Sequence, residues 1–153
     1  MINFKIINKI LGSLLFLEAL LMIVCLGMAF MFGEDDILPF MVSIVVTVFF
    51  GFLFKYHGRN AENRLSRRDS FVVVTLSWFF FSLFGTMPFL FGGYIPSFTD
   101  AFFESMSGFT STGSSIINDV EALPHGILFW RSLSQWLGGL GIVFFTIAIL
   151  PSV

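Results

Sequence analysis

Charge is scarce in this sequence. Asp, Glu, Lys and Arg make up 12% of the 153 residues, about half the share usual in a globular domain. Apolar residues make up 56%. So few charges cannot clothe a soluble core of that size, and so much apolar character excludes a disordered chain. A net charge of −2 excludes the strongly basic surface of a nucleic-acid binder. The single cysteine, Cys25, cannot form an internal disulfide or a cysteine-based metal site. No nucleophile–base pairing, phosphate loop or metal signature occurs. The Gly-rich run at 138–141 follows no strand and is no dinucleotide fingerprint. No residues support an enzyme and none imply a cofactor.

What the sequence has is long apolar runs, 23 of its residues being Phe. A bilayer core about 30 Å thick needs ~20 apolar residues as a helix. Four segments meet that demand: residues 10–32, interrupted by Glu18; 37–56, with Lys55 at its end; 71–91, without charge; and 126–150, carrying Arg131. Each is expected to be helical, because an open strand in lipid leaves backbone groups unpaired. The period-two alternation of an outer-membrane barrel is absent. The N-terminus, with Lys5 and Lys9 before an apolar run, has a secretory flavour. The run continues to Phe32 without a small-x-small cleavage site, so it reads as a retained membrane helix.

Charge asymmetry suggests an orientation. Lys5, Lys9, Lys55, Arg59, Arg64, Arg67 and Arg68, seven of the eight basic residues, fall before the first span or between the second and third. Glu34, Asp35, Asp36, Asp100, Glu104, Asp119 and Glu121, seven of the ten acids, fall in the alternate loops. The positive-inside rule then puts both termini in the cytoplasm. It also accounts for the basic loop 57–70 without a lipid or protein ligand, although anionic lipid or a regulatory subunit would fit there. His57 and His125 fall at opposite faces and cannot share a metal; both read as interfacial residues.

Residues 92–125, GGYIPSFTDAFFESMSGFTSTGSSIINDVEALPH, do not span. Pro96 breaks the chain, and Ser97 or Thr99 can cap a helix with Asp100 and Glu104 in its first turns. Phe98, Ala101, Phe102, Ser105, Met106 and Phe109 recur at helical spacing. The helix predicted over 97–108 is too short to cross. After it come Thr110, Ser111, Thr112, Gly113, Ser114 and Ser115, small residues of which five bear hydroxyls. A half-helix and an extended hydroxyl-rich return make a re-entrant pore loop. Extended backbone aims successive carbonyls at one axis, where they replace the water shell of a cation. Gly113 permits the φ values this requires, and the helix C-terminus favours positive charge. An extracellular loop with a short amphipathic helix and a Ser/Thr turn is the competing reading.

The segments RDSFVVVTLSWFFFSLFGTMPFL, FTDAFFESMSGFTSTGSSII and EALPHGILFWRSLSQWLGGLGIVFFTIAILP closely resemble the first repeat of the TrkH/TrkG/KtrB family of bacterial potassium-uptake proteins. The likeness runs from about Arg67 to Pro151, and the two preceding spans resemble the extra helices of the TrkH branch. The resemblance implies four helix–pore loop–helix repeats around a central pore in the inner membrane. It puts Gly113 on the filter glycine, and Thr110, Ser111, Thr112 and Ser114 on neighbouring filter positions, with potassium as the transported ion. Ser111 and Ser115 stand where threonine is frequent, which keeps the hydroxyls. It further implies a cytosolic nucleotide-binding regulatory subunit. Only one repeat is present, and one loop cannot encircle an ion. The expectation is a fragment, or a chain whose copies complete the pore. A non-conducting membrane interaction protein is the alternative.

Four further features stay open. Arg131, early in the last span, either pairs with Glu104, Asp100, Asp119 or Glu121, holding the loop, or snorkels to headgroups. Glu18 pairs with a neighbouring helix, is neutralised by burial, or serves as an ion site. Gly138, Gly139 and Gly141 either let helices pack closely or hinge the inner helix as a gate. Gly85 and Pro88 read as packing and a helix end. The fold class expected is thus an all-α membrane protein with four transmembrane helices, one re-entrant pore helix and a filter loop.

Overall fold

A computed structural model describes residues 3–61 and 66–149, without the side chains of 67 and 144–149. Arg64 of the basic loop and Leu150 and Pro151 at the end of the fourth expected span lie outside the described residues. Six helices follow in order: α1 (Phe4–Phe32), α2 (Ile37–His57), α3 (Arg67–Gly85), α4 (Met87–Phe91), α5 (Phe98–Phe109) and α6 (His125–Ile149). There is no strand among the described residues.

Three stretches are long and apolar enough to cross a membrane: Phe4–Phe32, Ile37–His57 and Arg68–Phe91. The first begins six residues before the apolar run. Asn3 accepts a hydrogen bond from the Ile6 amide, so a side-chain cap rather than hydropathy sets its start. The third stretch was expected as one helix over 71–91 but breaks at Thr86 into α3 and α4. Pro88 has no N–H to offer the Phe84 carbonyl one turn back, and the chain restarts with proline in the first turn of α4. At its other end α3 starts with a capping box, Ser66 and Asp69 satisfying each other's backbone amides.

α1 and α2 form a tight antiparallel pair joined at Gly33, whose φ of 66° closes the α1 C-terminus. Gly12 sets their spacing: a Cβ there would lie 2.7 Å from the Gly51 carbonyl oxygen. Small residues at a crossing let backbones approach, which suits helices that lipid cannot drive together. Buried hydroxyls are satisfied within their own helices, as in Ser43 to the Pro39 carbonyl, 2.7 Å, and Ser77 to the Val73 carbonyl, 2.6 Å.

The two ends of the bundle differ in charge. At one end Gly58 packs on the backbone of Lys5 and Lys9, and the Asn3 amide donates to Asp69, 3.0 Å. At the other, the acidic α1–α2 turn meets the start of α6. Glu34 accepts from the His125 amide at 2.6 Å, and its other oxygen lies 2.8 Å from His125 Nδ1. Phe32 stacks on the His125 ring, centroids 3.9 Å apart. His125, read from sequence as a plain interfacial residue, is therefore one half of a clamp. These hydrogen bonds hold the Glu34 carboxyl below its ordinary value. Asp36, fully buried, is pushed up by desolvation, the first amides of α6 opposing that shift. Neither Asp36 oxygen meets a described donor at full hydrogen-bond geometry.

The main core gathers Met22, Phe40, Phe81, Phe109, Ile127 and Trp130 from α1, α2, α3, α5 and α6. Trp130 Nε1 donates to the Gly85 carbonyl, 3.0 Å, tying α6 to the break after α3. Outside this core, large apolar side chains stay bare: Met31 is 79% exposed, Leu38 68% and Trp136 63%. A surface of that kind is at home in lipid or against further protein.

Candidate functional site

α5 positions the candidate site. Its 12 residues rise about 18 Å, too little to cross. Ser97 caps it by accepting from the Asp100 amide. Ala101, Glu104, Ser105, Gly108 and Phe109 are buried against α3 and α6. Gly108 admits α6 closely, since a Cβ there would lie 2.5 Å from Ser134 Oγ. Gly138 does the same from the other side: its Cβ would collide with the Phe109 carbonyl and sit 2.8 Å from Ser111 Oγ.

The strip after α5 is anchored on one side and bare on the other. The Thr110 amide donates to Met106, that of Ser111 to Gly108, and those of Thr112 and Gly113 both to Ser107, over 2.9 to 3.4 Å. The hydroxyls also turn back. Thr110 Oγ1 bonds the Met106 carbonyl at 2.7 Å and meets Thr112 Oγ1 at 2.8 Å. Ser111 Oγ donates to the Gln135 carbonyl on α6, 3.1 Å. Ser107 Oγ donates to the Ser114 carbonyl at 2.6 Å. By contrast, no described donor reaches the carbonyl oxygens of Thr110, Ser111, Thr112 or Gly113. Residues 111–116 are all exposed.

Two residues carry the bend. Gly113 has φ 77° and Ser111 φ 55°. Nothing lies within 4 Å of a Cβ built on Gly113; backbone angle, not space, requires glycine there. Ser111 has no such freedom, and a left-handed L-residue costs about 1–2 kcal/mol. Its hydroxyl bond to α6 helps to hold it.

A buried charge pair braces the returning chain. Arg131 Nε lies 2.6 Å from Glu104 Oε1, their side chains 17% and 2% exposed. Glu104 also accepts from Ser115 Oγ, 3.0 and 3.1 Å to its two oxygens, and from the Ile116 amide, 3.1 Å. Of the acids offered for Arg131 by sequence, the fold brings Glu104 to it; Asp100, Asp119 and Glu121 form no ion pair with it. One carboxylate thus joins α5, the return strip and α6.

Gly138 is a contact glycine, as described. Gly141 is another, 2.8 Å from Trp78 on α3 by a built Cβ, whereas Gly139 meets nothing closer than 3.8 Å. Sequence reasoning passed over Ser107, which holds the strip through its hydroxyl and its carbonyl. A serine on the face of α5 next to the loop was the available signal. It also passed over the Glu34–His125 clamp, which has none, because the two lie 91 residues apart.

The described residues form helices and loops without a strand, with bare apolar flanks and a short helix feeding a strip of free carbonyls, and this fold matches that of a membrane transporter. The TrkH cation transport protein family matches residues 37–153, and the chain belongs to that family. It is 38% identical over 151 residues to the "Trk system potassium uptake protein TrkH" of Halomonas elongata, covering 98% of this chain and 31% of that protein. Against the protein of the same name from Escherichia coli K12 the identity is 35%, covering 97% of this chain and 31% of the other. The crystal structure of the potassium transporter TrkH from Vibrio parahaemolyticus superimposes with a TM-score of 0.91 at 37% identity. That match covers 98% of this chain and 32% of that one. The chain spans about a third of the length of the relatives it matches.

Proposed function

We propose that this chain supplies the first helix–pore loop–helix unit, with two preceding helices, of a potassium-uptake transporter. In this reading α3 and α4 are the outer helix, α5 the pore helix, and α6 the inner helix and fourth crossing. Thr110, Ser111, Thr112, Gly113 and Ser114 line the filter. The observation that carries it is the row of four unclaimed carbonyls at 110–113, whose amides turn back to α5 while the Thr110 and Ser111 hydroxyls bond α5 and α6. Carbonyl oxygens fixed in this way replace the water around a monovalent cation without having to move when it arrives. The Ser114 carbonyl, held by Ser107, marks where the free row ends.

The pair Glu104 and Arg131 holds the return strip and adds no net charge beside the filter. Arg131 is not an ion ligand, since its charge repels potassium. Gly138 and Gly141 pack α6 on its neighbours, and a gating hinge falls to Gly139, whose surroundings are open. One loop encloses no axis, so the pore is completed by further repeats or by identical copies. Both termini face the cytoplasm of a bacterial inner membrane. The basic loop 57–70 there meets lipid headgroups or a nucleotide-binding regulatory subunit. Support comes from the names of the relatives, which are potassium uptake proteins.

The test is potassium uptake by the full-length protein in a host lacking its own uptake systems. Gly113→Ser is expected to change potassium/sodium discrimination while leaving the protein in the membrane. Unchanged discrimination would leave a packed, non-conducting membrane module as the better description.

A further inference from the structure

We propose that a buried water bridges Glu18 of α1 to Ser105 of α5, tying the first helix to the back of the helix that carries the filter strip. The naming of α5 as a pore helix rests on the proposed function; the bridge rests on the side chains themselves. Glu18 is 1% exposed and Ser105 3%. No described donor or acceptor reaches Glu18 Oε1, Glu18 Oε2 or Ser105 Oγ. Buried polar atoms are almost always partnered, by protein or by ordered water. This chain alone seals both groups, so further repeats could reach them only by opening the packing. The partner is therefore inside.

The two groups converge on one point. A Cβ placed on Gly85 would lie 2.7 Å from Ser105 Oγ and 3.4 Å from Glu18 Oε1. Phe109 Cε2 is 2.6 Å from the same point, so no side chain fits on Gly85. Trp130 Nε1 is already committed to the Gly85 carbonyl. Glu18 Oε1 and Ser105 Oγ supply two polar contacts, within the two to four that a buried water makes. They are too few for a cation, which demands a fuller oxygen shell. Glu18 is accordingly a positioning residue, acting on the strip through Ser105 and α5.

The bridge is tested in the full-length protein with Glu18→Leu, Ser105→Ala, the double variant and Glu18→Gln. Losing one partner strands the other, so each of the first two is expected to lower the Tm. Losing both strands neither, so the double variant is expected to regain most of the Tm. Glu18→Gln keeps a polar head of the same length and is expected to restore the wild-type Tm and potassium KM. A high-resolution map of the unmodified protein is expected to show density between the two groups. Additive losses, a Glu18→Leu protein that melts higher than wild type, or a map with Glu18 on another partner each overturn it. The filter is tested separately. If Gly113→Ser shifts ion discrimination while the Glu18–Ser105 losses add, the bridge fails and the filter stands. If the losses are coupled and Gly113→Ser changes nothing, the filter fails and the bridge stands.

Discussion

Replacing Glu104 by Gln probes the brace of the return strip with almost no change in shape. In the native protein one carboxylate accepts from Arg131, Ser115 and Ile116. The amide has one oxygen, so its NH2 group must face a donor, either the Arg131 guanidinium or the Ile116 amide. Removing one partner of a buried ion pair costs ~3–5 kcal/mol, because it strands the other charge. Arg131 keeps 17% exposure, which puts the loss near the low end, about 3 kcal/mol. That is about a hundredfold in the folded-to-unfolded ratio. Glu104→Leu also removes the bonds to Ser115 and Ile116, each ~1.5 kcal/mol or more with a charged acceptor. Thermal melting of the full-length protein in detergent reads the stability. If the strip is the proposed filter, potassium and sodium uptake by the full-length protein is expected to lose discrimination before the protein ceases to insert. Glu104→Leu combined with Arg131→Leu is expected to melt above Glu104→Leu alone. A Glu104→Gln protein with native Tm and native discrimination would refute the brace.

Gly113→Ala is expected to cost about 1–2 kcal/mol through backbone angle alone, since nothing lies near the new methyl; a crystal or cryo-EM structure would show a flattened or rotated strip. Gly138→Ala drives a methyl into the Phe109 carbonyl and is expected to lower the Tm more than Gly139→Ala, whose nearest neighbour is 3.8 Å away; equal effects would contradict the packing. The Glu34–His125 clamp gives a pH signature. The Glu34 value is lowered on folding, so its contribution is complete above the ordinary 4.5 and is lost as pH falls through the lower folded value. Asp36, raised by burial, works in the opposite sense. Glu34→Gln is therefore expected to flatten the acid limb of a Tm–pH profile, and an unchanged limb would remove the clamp from the stability of the α1–α2 turn.

Much of the site was legible in local pattern. Ser97 or Thr99 as cap, a short helix over 97–108 and the hydroxyl run after it are dictated by neighbours within a few residues, where capping and helical period act. Gly113 could be singled out because a sharp return needs one residue free of a Cβ. The break at Thr86 was visible in Pro88 but was read as a helix end instead of a restart. What stayed illegible depends on distant pairs. Four acids were available to Arg131, and nothing in their spacing favours Glu104, 27 residues away. Glu34 and Asp36 counted in the sequence only as loop acids that set the orientation, and nothing there placed the start of α6 against them.

By itself the sequence determined the solvent and the class. Too few charges for a water-facing shell and apolar runs as long as a bilayer is thick leave a bundle of membrane helices. A helix only 12 residues long cannot be one of the crossings. Tertiary structure alone decided which side of the strip stays free. Hydropathy and period act along the chain, whereas the direction of a carbonyl depends on where its amide finds a partner. Here those partners, Met106, Ser107 and Gly108, are the last turn of α5, with α6 pressed against it through Gly138.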